Sequence, residues 1–202
     1  RLGAEERERR ERVGEVLRLL SLGPGSRVAD VGSGLGFYTV ALARTVGETG
    51  RVFAVDIDEA VLAELRRRAS DGRLPQIEAV LGAPNDPRLA PGSLDAALIV
   101  NSYHEMPSHR SILEHLRAAL RPGGRLMLIE PYSEERRREP REEQVKRHQI
   151  APDLLEAELR EAGFQIVQRT DAFVQNPEGG GLESLVLAAR PAGAARTAPK
   201  AK

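Results

Sequence analysis

The stretch Val28-Ala29-Asp30-Val31-Gly32-Ser33-Gly34-Leu35-Gly36-Phe37 constrains this chain more than any other. The run Arg27 to Val31 reads as a buried strand and ends on three glycines within five residues. Phe37, Val40, Ala41 and Val46 then mark the apolar side of a helix. Between strand and helix, such a turn lets backbone approach a ligand closely, because glycine has no Cβ and takes φ > 0. The helix N-terminus behind it offers unpaired N–H groups. One permissive residue would make a plain turn, so three imply a ligand. A dinucleotide fingerprint reads G-x-G-x-x-G, whereas these glycines are 32, 34 and 36, with Phe37 where the last would fall.

The rest of the chain repeats the strand–helix alternation of an α/β fold. Arg51 to Asp56 is a second strand. Asp56 follows the glycine loop by about the 20 residues expected of an acid that accepts both ribose hydroxyls of a nucleotide. Asp58 reads instead as the N-cap of a helix buried through Val61, Leu62 and Leu65. Ile77 to Leu81 is a short third strand, followed by the turn Gly82-Ala83-Pro84-Asn85-Asp86-Pro87. Ser93 to Val100 is nearly all apolar, which suits a parallel strand covered on both faces. It ends in the polar cluster Asn101-Ser102-Tyr103-His104-Glu105, where open α/β sheets place their ligand crevice. Ser108 is expected to cap a helix carrying Ile112, Leu113, Leu116 and Leu120, stopped by Arg121-Pro-Gly-Gly. Arg125 to Ile129 is a fifth strand with Glu130 at its end. Residues 133–150 form a polar insertion, either a solvated helix or a lid. Pro152 to Ala162 is a helix closed by Gly163, and Phe164 to Arg169 and Ser184 to Ala188 are the last strands. Upstream, Glu5 to Leu20 is read as one helix whose charged first half is a solvated face.

Asp30-Val-Gly-Ser-Gly-Leu-Gly, Asp56, the fourth-strand terminus and Leu120-Arg-Pro-Gly-Gly-Arg-Leu together resemble the class I S-adenosylmethionine-dependent methyltransferases. The resemblance covers about Glu5 to Arg190 and implies a Rossmann-like sheet of seven strands, mostly parallel with the last antiparallel, and helices on both faces. It implies S-adenosylmethionine as cofactor, with Asp30 holding its methionine end directly or through water. Gly32, Ser33, Gly34, Gly36 and Phe37 would lie along it, Asp56 and Ile57 at the ribose, and Gly82 and Ala83 at the adenine, whose amine is met by backbone groups or by Asn85 or Asp86; Asn101 would also touch the cofactor. A narrower likeness joins Asn101-Ser-Tyr-His-Glu and the later Lys146-Arg-His148 to small bacterial methyltransferases of mostly undefined substrate. Asn101 replaces the Asp usual there.

The implied reaction is methyl transfer to a small-molecule acceptor, with His104 and His148 as candidate bases sharing one pocket and Tyr103 and Glu130 orienting the acceptor. No metal is expected: of Asn101 and Glu130, where catechol-type relatives place magnesium ligands, only one is charged, and hard cations want several oxygens. A nicotinamide-dependent oxidoreductase is the alternative enzyme, but Pro107 stands where its Tyr-x-x-x-Lys lysine would follow Tyr103. The third reading is a non-catalytic cofactor-binding protein.

Composition narrows the partners. Basic and acidic residues number 30 each, which argues against a nucleic-acid surface. There are no cysteines, so disulfides, thiolate metal sites and thiol chemistry, arsenite methylation included, are disfavoured. No apolar run is long enough to span a bilayer. A cytoplasmic protein is expected. The start at Arg1 leaves a removed signal peptide open, and a homodimer also stays open. Residues 1–190 are read as one domain, and 191–202, rich in Ala and Pro, as a disordered tail.

Overall fold

The computed structural model describes residues 4–175 and 181–192. Seven strands form one sheet: β1 (Arg27–Val31), β2 (Arg51–Asp56), β3 (Ile77–Leu81), β4 (Leu94–Val100), β5 (Leu120–Tyr132), β6 (Gln165–Gln175) and β7 (Leu182–Ala189). Their order is β3-β2-β1-β4-β5-β7-β6. β1 to β5 run parallel, and β7 lies antiparallel between β5 and β6. This is the expected seven-stranded Rossmann-like sheet. The order reverses at β1, so the crevice above the carboxyl ends of β1 and β4 is the switch point where such sheets take ligands.

The period-2 alternation of strands explains two cores rather than one. Ala97 and Ile99 of β4 face one side, with Leu126 and Leu128 of β5. There they meet Leu113 and Leu116 of α5 (His109–Ala119) and Leu155 and Leu159 of α7 (Pro152–Glu161). Ala96 and Leu98 face the other side, with Val16 and Leu20 of α2 (Val13–Leu20) and Leu42 and Val46 of α3 (Phe37–Val46). Every side chain named here is essentially sealed from solvent.

Several boundaries differ from the sequence reading. The N-terminal helix is two, α1 (Ala4–Arg10) and α2, because Arg12 takes a left-handed φ of 51°. On α3 the buried face runs through Tyr38, Thr39, Leu42, Ala43 and Val46, so Phe37, Val40 and Ala41 flank it. Ser108 stands at the N-cap of α5 but its side chain makes no capping bond. Leu120 and the Pro-Gly-Gly turn belong to β5, and β6 and β7 extend beyond the expected strands. Asp58 caps α4 (Glu59–Asp71) as expected, accepting from the N–H groups of Ala60 at 2.8 Å and Val61 at 3.3 Å.

The polar insertion is docked on the body. Arg137 ties it to Asp153 of α7 at 2.5 Å and Asp171 of β6 at 2.9 Å. Arg141, which opens α6 (Arg141–Val145), binds Glu158 at 2.8 Å, and buried Gln144 accepts the Ala151 N–H at 2.6 Å. The expected disordered tail lies, from residue 193 on, outside the described residues. No described helix is long and apolar enough to cross a membrane.

Candidate active site

A cavity of about 300 Å³ opens above the carboxyl ends of the central strands. Gly32 and Gly34 form one wall, Asp56 and Ile57 the next, and Gly82 and Ala83 the third. Asn101, Ser102 and Glu105 close it from β4, and Met106, Pro107 and Ile112 supply apolar floor.

The glycine loop is shaped by contacts that a side chain would spoil. Gly32 has φ +74°, and a Cβ there would sit 2.3 Å from Ser102 Oγ and 2.7 Å from its Cβ. Gly34, at φ +52°, would point a Cβ into open space, so its glycine answers to backbone shape and leaves room for a ligand. Gly36 caps α3 at φ +85° without lining the cavity. The carboxylate of Asp56 accepts the Gly34 N–H at 2.9 Å and the Asp58 N–H at 3.1 Å. A carboxylate has about four acceptor sites, so two remain for ribose hydroxyls. Ile57 is 64% exposed although apolar, and it lies on the lip.

Three expected cofactor residues stand behind this surface. Asp30 is buried and its Oδ2 accepts from Thr39 Oγ1 at 2.6 Å, so it braces the loop from beneath. Its burial pushes the carboxyl up to about 6, against the pull of the Thr39 hydrogen bond. Ser33 is buried with its hydroxyl unpartnered, and the Phe37 ring lies under the Arg7 guanidinium at 3.8 Å. In the third-strand turn, Ala83 pairs with Asp86 through backbone bonds of 2.7 and 3.1 Å. The Asp86 carboxylate accepts the Arg88 N–H at 2.7 Å and so serves the turn itself. Asn101, with a left-handed φ of 50°, donates to Glu183 at 3.1 Å.

None of Tyr103, His104, Glu130 and His148 lines the cavity; His104, Glu130 and His148 form a second cluster beside it. Glu130 is fully buried. Its Oε1 accepts the N–H groups of Ser102 at 2.9 Å and Tyr103 at 2.8 Å, and its Oε2 lies 2.6 Å from His104 Nδ1. With the His104 backbone N–H also reaching Oε2 at 3.4 Å, a carboxylate committed to four donors acts on the turn and on His104, not on an acceptor. With Nδ1 donating to Glu130, His104 turns its Nε2 lone pair outward. Tyr103 is also fully buried and its hydroxyl donates to Glu158 at 2.8 Å, which directs it away from the rim. The His104 and His148 rings meet edge to face, 5.5 Å apart, so the two imidazoles expected in one place do come together. Between them stands Glu105, 3.9 Å from His104 Nε2 and 3.5 Å from His148 Nδ1. Ser102 lines the cavity as a member of the polar cluster after the fourth strand, without an individual role read from sequence; Met106 and Pro107 carry no sequence signal beyond nearness to that cluster.

Residues 28–124, from β1 to the turn inside β5, match the family model of a methyltransferase domain. A solved S-adenosylmethionine-dependent methyltransferase from Aquifex aeolicus superposes with a TM-score of 0.75 at 26% identity, over 90% of this chain and 92% of that one. Over residues 28–124 the chain is similar to a methyltransferase domain, and its fold is that of a class I S-adenosylmethionine-dependent methyltransferase. Its cofactor is S-adenosylmethionine, and the methyltransferase cavity fits one: an open cradle at Gly34, free acceptor sites on Asp56, an exposed apolar lip. Among curated proteins it is similar to the demethylmenaquinone methyltransferase of Bacillus mycoides, 28% identical over 116 residues, 57% of this chain and 49% of that protein. The chain thus spans about half the length of the curated relatives it matches. An arsenic(III) S-adenosylmethionine methyltransferase from Chlamydomonas reinhardtii shares the fold, with a TM-score of 0.62 at 18% identity over 83% of this chain and 64% of that one.

Proposed function

We propose that this protein transfers the methyl group of S-adenosylmethionine to a small-molecule acceptor. The observation that carries the reading is the polar rim of Glu105, His104 and His148 beside a cavity suited to the cofactor. The zero formal charge supports a small acceptor over a nucleic acid, and the named substrate of the Bacillus mycoides relative is in keeping with it.

The sulfonium supplies an activated methyl group when the cofactor is bound, so the chain's own work is binding, orientation and proton handling. Asp56 would hold the ribose hydroxyls, the Gly32–Gly36 backbone the methionine side, and the Ala83 backbone the adenine. His104 Nε2 would take the proton of the acceptor, with Glu130 fixing the tautomer from behind and His148 forming the outer wall. Tyr103 then supports the turn through Glu158.

Incubation with methyl-labelled S-adenosylmethionine and separate pools of small molecules, nucleic acid and protein tests this. Label should enter the small-molecule pool with release of S-adenosylhomocysteine. Label confined to nucleic acid or protein, or cofactor binding without turnover in any pool, would overturn it.

A further inference from the structure

We propose that His104, Glu105 and His148 form a binding site for a divalent first-row transition metal, zinc or one of similar chemistry. Each offers one donor atom, and the three atoms all lie within 4.8 Å of one another. Zinc bonds to nitrogen and oxygen are about 2.1 Å long, which puts tetrahedral donors about 3.4 Å apart. Glu105 Oε1 is already 3.5 Å from His148 Nδ1 and 3.9 Å from His104 Nε2. Closing the triad therefore takes shifts of well under a side chain's length, and Glu105 and His148 are both exposed and free to make them.

The surroundings are arranged as a metal needs. A ligating imidazole usually donates its other N–H to a carboxylate, which fixes the tautomer and raises its basicity. His104 does so at 2.6 Å to the fully buried Glu130, and that carboxylate is itself held by three backbone N–H groups. His148 sits at a left-handed φ of 55° just after α6, in a segment pinned by the Ile150 N–H to Pro131 carbonyl bond at 2.8 Å. Two imidazoles and one carboxylate select zinc, iron, cobalt or nickel; magnesium and calcium want oxygen donors. Three protein ligands leave a coordination position open.

The site is separate from the cofactor cavity, although Glu105 touches both. A metal there would occupy the His104 lone pair assigned above to the acceptor's proton, so the loaded protein should turn over more slowly. That consequence rests on the methyl-transfer reading; the binding does not.

Calorimetric titration of ZnCl₂ into the chelator-treated chain tests the site. One zinc per chain should bind. Its affinity should fall at least tenfold in His148→Ala and in Glu105→Gln, and stay level in His115→Ala, an exposed imidazole on α5. MgCl₂ should give no saturable heat, and Co²⁺ should develop visible absorption in the parent chain but not in His148→Ala. The two key substitutions are at exposed positions, so folding is not at stake. Absent zinc binding, or equal affinity in parent and both variants, overturns the proposal. A chain that binds zinc but not S-adenosylhomocysteine upholds the metal site and fails the methyl-transfer reading.

Discussion

Asp30→Asn should change how stability depends on pH, in a window the structure names. Asp30 lies beneath the glycine loop, 3% exposed, with Thr39 as its hydrogen-bond partner. Burial pushes its carboxyl up to about 6; Thr39 opposes that shift and nearby Asp56 adds a little. In an unfolded chain an aspartate titrates near about 3.9. The folded protein thus holds this proton longer than the unfolded one. The resulting stabilisation is full below about pH 4 and is lost as pH rises through about 6. About two pH units at about 1.4 kcal/mol each amount to about 3 kcal/mol. Asparagine has nearly the same shape, its carbonyl can still accept from Thr39, and it carries no charge to desolvate. Urea unfolding of both proteins across the range reads the effect. Stability of Asp30→Asn minus that of the parent should climb by about 3 kcal/mol between about pH 4 and about pH 7.5. All other titrating groups are common to both and cancel. A difference that stays level across the window would refute the burial argument. The same substitution should weaken S-adenosylhomocysteine binding if Asp30 serves the methionine ammonium, which would explain a charge kept at a cost to stability.

Gly32→Ala should lower cofactor affinity at least tenfold and stability by about 2 kcal/mol, since it combines a left-handed φ with a 2.3 Å clash at Ser102 Oγ; calorimetry and urea unfolding read the two effects. Glu130→Ala should cost about 3–5 kcal/mol in urea unfolding, because it strands the buried N–H groups of Ser102 and Tyr103 and His104 Nδ1–H. Glu130→Gln should cost less, as its carbonyl can still accept the two backbone bonds, and equal losses in the two variants would argue that shape rather than hydrogen bonding matters there.

Much of this architecture is legible in local pattern. The apolar runs at Val28–Val31 and Leu94–Val100, the turn on the glycines and the Asp58 cap each depend on residues close in sequence, and each stands as read. The differences arise where distant residues decide. The break falls at Arg12, itself neither glycine nor proline, whose guanidinium reaches the distant Phe173 carbonyl at 2.9 Å. Tyr103 and Glu130 read as acceptor contacts because they end strands at the crevice. Their real partners, Glu158 and His104, lie 55 and 26 residues away, and no local periodicity encodes such pairings. The insertion reads as a solvated helix or lid from its charge, yet Arg137 spends that charge on Asp153 and Asp171. The nearness of His104 and His148 follows from strand-end geometry; nothing in the local pattern marks Glu105, next to His104 in sequence, as the carboxylate that stands between them.

Titration calorimetry of S-adenosylhomocysteine against the parent chain and Asp56→Ala tests the central claim most directly. The parent should bind one S-adenosylhomocysteine per chain and give no heat with NADH. Asp56→Ala should bind at least tenfold more weakly with its unfolding midpoint little changed, since each charge-assisted hydrogen bond to ribose is worth about 1.5–3 kcal/mol. Tight NADH binding without S-adenosylhomocysteine binding, or an unchanged dissociation constant in Asp56→Ala, would contradict it.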